Sequence, residues 1–379
     1  MESGNNSFSP EWRVPFVGLR RQYGALREEI LECVDRIFSQ AAFILRGDVA
    51  EFERAAAAYL GVNHVVGVNS GTDALFLTLK AMGLCRGDEV ITVPYTFVAT
   101  VAAIVHCGAE PVLVDIGADF NMAAENLAAA VTPRTRAIIP VHLNGRACDM
   151  DAIMNIAERH SLLVIEDSAQ SFGARHNGRC AGSIGAAGCF SLHPMKNLNV
   201  GGDGGLIAVN DGALADKLRI LRNVGQRTKE EIACFGYNSR LDTLHAAIAL
   251  IKLKYFPEWI ERYRRLAQRY NDALGGIDGL TLPPPPSDGI RFDVFSSYAI
   301  CTPRRDALKA HLLADGVETF VHWPMPLHRQ PALGLGGNHD FPQTDRIAKE
   351  TLSLPIYPQL TDDEQDIVID STLSFFTRI

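Results

Sequence analysis

His64-Val65-Val66-Gly67-Val68-Asn69-Ser70-Gly71-Thr72-Asp73-Ala74-Leu75-Phe76-Leu77-Thr78-Leu79-Lys80-Ala81-Met82 contains one complete unit of a layered α/β fold. The apolar run over His64–Asn69 predicts a strand, and the apolar spacing over Thr72–Met82 predicts a helix. Between them a small residue, a glycine and a hydroxyl open the helix. Such a start presents free N–H groups and the positive end of the helix dipole. The turn is therefore a candidate anion site, and equally a capped helix after a tight turn.

The same alternation continues downstream. Strands are predicted at Glu89–Val93, Pro111–Asp115, Ala137–Val141, Leu162–Glu166, Gly188–Ser191 and Leu206–Val209, with helices over Val98–Cys107 and Met150–His160. Seven strands interleaved with helices predict a mainly parallel sheet between helical layers. In such sheets ligands bind at the C-terminal strand ends.

Upstream lies an arm and an amphipathic helix, with Leu26, Ile30, Cys33, Val34, Ile37 and Phe38 on one apolar face. Asp48 and Glu51 fit a capping pattern for a helix that stops near Gly61. Downstream, a long helical region covers Leu241 to Leu274, and four consecutive prolines break the chain within Leu282–Pro286. A strand at Ser296–Ile300 and helices near Arg305–Leu313 and Asp362–Phe375 predict a smaller α+β domain. A chain of 379 residues exceeds what one core usually holds. The expected division is an arm and large domain over residues 1–250, then a connecting helix and small domain over 251–379.

The net charge of −8 gives no basic footprint for nucleic acid. Eight cysteines, scattered without CxxC or zinc-ligand spacing, suit free thiols in a reducing cytoplasm, and no metal site is expected. Met1–Asn6 lacks the basic and apolar regions of a signal peptide. Val90–Ala109 has no Asp, Glu, Lys or Arg, but Pro94, His106 and Gly108 favour a strand, a loop and a helix over a membrane span.

Three further segments sit at predicted strand ends or helix starts. Asp167 closes a buried strand in Val164-Ile165-Glu166-Asp167-Ser168-Ala169-Gln170, where a carboxylate is costly unless paired. It could cap a helix or hold a cationic ring nitrogen. Lys196 follows a strand in Ser191-Leu192-His193-Pro194-Met195-Lys196-Asn197-Leu198, ahead of Gly201-Gly202-Asp203-Gly204-Gly205. A desolvated amine there would be a nucleophile. Neither GxGxxG nor GxxxxGK occurs, which removes the nucleotide-loop readings. Gly236-Tyr237-Asn238-Ser239-Arg240-Leu241-Asp242 enters the long helix, and Asn238 and Arg240 could simply cap and solvate it.

In order and spacing, S-G-T-D-A, E-D-S-A-Q, S-x-x-P-x-K-N with its G-D-G-G tail, and G-Y-N-S-R-L-D resemble the DegT/DnrJ/EryC1/StrS sugar aminotransferases. The likeness covers nearly the whole chain, from Pro15–Leu19 through Phe43–Gly47, Pro94–Phe97 and Pro140–Gly145 to Leu352–Pro358. It implies the pyridoxal-phosphate (PLP) transferase fold of type I, PLP as cofactor, and a homodimer with shared active sites. Lys196 would carry PLP as a Schiff base and move the proton, and Asp167 would pair with the pyridine nitrogen. Gln170 would contact the ring hydroxyl and Phe97 would stack on the ring. Gly71, Thr72 and Ser191 would hold the phosphate with Asn238 of the partner. His322, Trp323 and His328, in a segment resembling H-Y-P-x-P-x-H, would face substrate.

The activity so implied moves an amino group from an amino acid, L-glutamate by expectation, to a keto-sugar. The G-D-G-G tail favours a nucleotide-linked 3-keto sugar. A 4-keto sugar, a cyclitol ketone or a sugar phosphate is the alternative substrate. His245, where relatives usually have Gln, and the short Pro331–His339 loop depart from the pattern and bear on substrate choice. Two rivals remain: a non-catalytic PLP-binding regulator, and a lyase or decarboxylase on the same fold.

Overall fold

The computed structural model describes residues 12–335 and 340–377. The reading of Met1–Asn6 and the end of the Pro331–His339 loop lie outside the described residues. An N-terminal pair of helices, α1 (Leu19–Ser39) and α2 (Gly47–Leu60), leads into β1 (His64–Val68) and α3 (Gly71–Ala81). Then come β2 (Glu89–Thr92), α4 (Val98–Cys107), β3 (Glu110–Leu113), α5 (Ala124–Ala130), β4 (Thr135–Ile138), α6 (Met150–His160) and β5 (Leu163–Asp167). A short hairpin of β6 (Arg175–His176) and β7 (Arg179–Cys180) precedes β8 (Ala187–Ser191), β9 (Gly205–Val209) and α7 (Gly212–Arg222).

The main sheet has seven strands in the order β1-β9-β8-β5-β4-β2-β3. β9 runs antiparallel to both its neighbours, and the others pair in parallel. This is the mainly parallel sheet expected. Both its faces are covered, so the strands read as continuous apolar runs. Val66, Ile165, Cys189 and Ile207 pack towards α3, α4 and α7, whereas Val65, Phe190 and Leu206 pack towards α2 and the long helix α8 (Thr243–Leu274).

That helix joins two cores. Phe256 and Ile260 belong to the sheet's core, and Tyr263, Leu266, Ala267 and Tyr270 belong to a second one. After β10 (Arg291–Phe292), the second core is built by the antiparallel pair of β11 (Tyr298–Cys301) and β12 (Thr351–Leu354). It is covered by α9 (Arg305–Ala314) and α11 (Asp362–Thr377), with α10 (Pro342–Glu350) entering β12. The expected boundary at residue 250 falls inside the continuous α8.

Two local expectations are corrected. Phe38, placed on the apolar face of α1, is 59% exposed and meets Phe43 edge-on, while Gln22 is buried on that face with Leu26, Cys33 and Ile37. Asp48 does not cap α2. Arg46 is the N-cap, and the Asp48 carboxylate pairs with Arg36 at 2.5 Å. Val90–Ala109 divides into β2, a loop and α4, and no helix among the described residues is long and apolar enough to cross a membrane.

Glu166, buried on β5 beside Asp167, holds the sheet to the loop before β8. Its carboxylate accepts N–H from Gly182, Ile184 and Gly185 at 2.7–2.8 Å and faces His142 Nε2 at 2.9 Å. Cys148 N–H donates to His142 Nδ1, so the ring proton sits on Nε2 and is given to Glu166. Burial pushes the Glu166 carboxyl up, but these donors outweigh it and hold its pKa below the ordinary value. Glu166→Ala should therefore cost about 3 kcal/mol in urea unfolding, since buried donors lose their acceptor. Because the folded pKa is depressed, the stabilisation is full above the unfolded value and lost as pH falls through the folded one. An unchanged urea midpoint would contradict this.

Candidate active site

The C-terminal ends of β1, β5 and β8 open into one cavity of about 950 Å³. Ser70, extended in backbone, caps α3 by accepting the Asp73 N–H at 3.1 Å. The first-turn N–H groups of Gly71 and Thr72 lie ahead of the helix's own ladder and remain available to an anion. A Cβ on Gly71 would lie 2.7 Å from the Ser191 Cβ, so only glycine lets the end of β8 close against this turn. Gly71, Thr72 and Ser191 all line the cavity, in a cradle suited to phosphate.

Asp167 ends β5 at 5% exposure. Its Oδ2 accepts from Thr100 Oγ1 at 2.8 Å and its Oδ1 from Ala169 N–H at 3.2 Å. Thr96, in the loop before α4, shares a 2.9 Å hydroxyl contact with Thr100. The segment beyond Asp167 is a turn, so the carboxylate caps no helix. Burial raises its pKa despite the Thr100 and Ala169 bonds and the charge of Lys196. A buried carboxylate with so few donors suits a cation placed in the cavity.

Lys196 sits in the turn after β8, its N–H bonded to the His193 carbonyl at 2.8 Å. Burial lowers its pKa and Asp167 opposes the shift. It is the one lysine lining the cavity among the described residues, and no arginine lines it. Phe97, at the N-cap of α4, is 57% exposed and contributes its side chain to the cavity wall. Gln170 also lines the cavity, its Oε1 accepting the Asn144 N–H at 3.0 Å.

His322 and Trp323 line the cavity as well. The Tyr95 hydroxyl donates to the His322 carbonyl at 3.0 Å, and Trp323 packs edge-on against Tyr95. Burial, then the Lys196 charge, lowers the His322 pKa to about 4, so the ring is neutral, and its buried Nε2 has no partner among the described residues. His328 departs from the expectation of substrate contact. The 3-10 turn Leu327–Arg329 swings it away from the cavity, where Nε2 meets Asp345 Oδ1 at 3.1 Å and the ring packs on Phe341.

Asn238 does not line the cavity of its own chain. It is exposed, bridged to Asn223, at the end of an excursion carrying the exposed Ile232 and Phe235. Thr100, Gln22 and Asn199 also line the cavity but were not singled out from the sequence. Gln22 could have been, since it continues the four-residue spacing of Leu26 and Ile30. Among the described residues no cluster of His, Cys, Asp or Glu could hold a metal ion.

Taken together, an anion cradle, a buried carboxylate in want of a cation and a desolvated lysine fit PLP, whose phosphate α3 could hold, whose ring nitrogen Asp167 could pair with and whose aldehyde Lys196 could take.

The model of the DegT/DnrJ/EryC1/StrS aminotransferase family matches residues 25–373. A protein of Geobacillus stearothermophilus named as a pleiotropic regulatory protein is 42% identical, covering 96% of this chain and 98% of its own. The dTDP-3-amino-3,4,6-trideoxy-α-D-glucose transaminase of Streptomyces venezuelae is 40% identical, with 97% of both chains covered. Among solved structures, DesV of S. venezuelae in complex with a ketimine intermediate superposes with a TM-score of 0.93 at 39% identity, covering 97% of this chain and 99% of that one.

Proposed function

The chain belongs to the DegT/DnrJ/EryC1/StrS aminotransferase family, and from that premise we propose that it moves the amino group of L-glutamate to a nucleotide-linked 3-keto sugar in amino-sugar biosynthesis. Glutamate and the keto-sugar exchange to give 2-oxoglutarate and the amino-sugar. The observation that carries this reading is the convergence of Lys196, Asp167 and the α3 N-terminus on one cavity large enough for cofactor and sugar.

When bound, PLP supplies a carbonyl that amines can join and a ring that accepts electrons. Asp167, ionised, keeps the ring nitrogen protonated. Lys196 Nζ, poorly solvated by its burial, would anchor the cofactor and would be the group placed to take up and return a proton beside it. Gly71, Thr72 and Ser191 would hold the phosphate, Phe97 and Gln170 would hold the ring, and His322 and Trp323 would border the sugar. We assign the protein to the cytoplasm.

C3 is favoured by the G-D-G-G tail and by the 3-amino product in the name of the Streptomyces relative. The regulatory name of the Geobacillus relative keeps a non-catalytic reading in view. Both are tested by amination of a panel of dTDP- and UDP-linked 3-keto and 4-keto sugars, read by mass spectrometry. Turnover of 3-keto members bears the proposal out. No turnover, with no amino exchange between glutamate and 2-oxoglutarate, would leave the regulator.

The homodimer forms part of the same proposal. Asn238, exposed in its own chain, would reach the partner's phosphate, and the apolar Ile232 and Phe235 beside it would be covered. Lys196→Ala chains mixed with chains inactivated at Asn238 should then recover activity. With random exchange about half the dimers are mixed and each has one intact site, so about a quarter of wild-type activity is expected. No recovery after demonstrated exchange would refute the shared site.

A further inference from the structure

Lys252, on α8, is a buried ammonium with no carboxylate partner among the described residues. It is 5% exposed and takes part in no ion pair among the described residues. Its Nζ donates to two neutral amide oxygens, Gln22 Oε1 at 2.8 Å and Asn199 Oδ1 at 2.6 Å. Burial lowers its pKa to about 8, so near neutral pH it keeps its proton.

An ammonium can only donate. It therefore dictates which way both amides face. With the two oxygens turned to Lys252, the NH₂ groups point elsewhere. Asn199 Nδ2 goes to the Lys196 carbonyl at 3.2 Å and to Gln22 Oε1 at 3.4 Å. Gln22 Nε2 has no acceptor among the described residues, and Gln22 lines the cavity. Both substrates of the transamination proposed above are anionic, yet among the described residues that line the cavity the lone Lys or Arg is Lys196. A donor backed by a buried positive charge is what an anionic oxygen would select there.

Resting on that reading of the reaction, we propose that Gln22 binds an anionic oxygen of a substrate, and that Lys252 is the positioning residue that turns its NH₂ into the cavity and ties Asn199 to Lys196. The oxygen belongs either to the donor's carboxylate or to the nucleotide's diphosphate. The two are separated by measuring KM for glutamate and for the sugar nucleotide independently.

The test uses the holoenzyme with Gln22→Leu, Gln22→Glu, Lys252→Met and Lys252→Arg. Gln22→Leu and Lys252→Met should each raise KM for one of the two substrates about tenfold, the scale of one hydrogen bond to a charged group, with kcat changed far less. Gln22→Glu should bind worse than Gln22→Leu, because it sets a carboxylate against the anion. Lys252→Arg, still a cationic donor, should recover part of the loss. Calorimetry with 2-oxoglutarate and with dTDP should show the same weakening for the matching ligand without turnover, and Lys252→Met should speed hydrogen exchange over residues 192–200. The double variant Lys252→Met with Gln22→Leu should be no worse than Gln22→Leu alone. Unchanged KM and binding in Gln22→Leu would overturn the proposal, even if Lys252→Met fails to fold. So would additive effects of the two changes. Wild-type enzyme that aminates no nucleotide sugar would instead refute the function proposed above.

Discussion

Lys196→Ala is expected to abolish amino transfer, by at least about ten-thousand-fold, while leaving the fold and the phosphate cradle intact. A loss of that size is usual when the nucleophile of a covalent mechanism is removed. The cavity offers no substitute. Lys196 is its one lysine among the described residues, and the amine of Lys252 is committed to Gln22 and Asn199 behind the wall. Borohydride treatment of the wild-type holoenzyme should bleach its absorption band and leave a pyridoxyl label on Lys196 alone. The variant should still bind the cofactor, without the covalent link. A label on another lysine, or turnover near the wild-type rate by Lys196→Ala, would remove Lys196 from the mechanism.

Position made Lys196 and Asp167 candidates in the sequence, and the order of the motifs around them singled them out. Each follows an apolar run that had to be a strand, and a doubly covered sheet offers ligands nothing but its strand ends. The seven strands were visible as well, since strands buried on both faces are mostly apolar and read as continuous runs. Their ends were less clear. β4 was expected at Ala137–Val141 but spans Thr135–Ile138, because Thr135 already pairs with Glu89 through an irregular register.

Polar contacts across the chain left no local sign. Gln22, Asn199 and Lys252 meet over sequence separations of 177 and 230 residues, and each lies in a stretch whose period reports only helix or loop. His328 shares a segment with His322 and Trp323, which line the cavity, yet its ring meets the carboxylate of Asp345 instead. Sequence resemblance carries a role to a position but not the direction in which its side chain points. Asn238 illustrates the remaining gap: on the dimer proposed above it would serve a neighbouring subunit, and such a residue looks idle in its own chain.

Asp167→Asn should lower amino transfer about a thousand-fold, the scale of loss when an essential charge beside the reacting group is removed. Asparagine keeps the shape and can still accept the Thr100 hydroxyl through its oxygen, so cofactor binding should survive. What it cannot do is hold a proton on the ring nitrogen. Stability supplies an independent check. Burial raises the Asp167 pKa, so between the unfolded value and the folded one the native state binds more protons and stability falls as pH rises. Above the unfolded value the cofactor-free protein is therefore less stable than below it, because burial disfavours the charged carboxylate. Asp167→Asn should make that form at least as stable as wild type, while reducing the extra stabilisation that PLP confers. Thermal unfolding with and without PLP, set beside steady-state rates, separates the possibilities. A carboxylate that merely braced the turn at Ala169 would give the opposite pattern, a destabilised variant with near-normal turnover, and that outcome would sink the assignment.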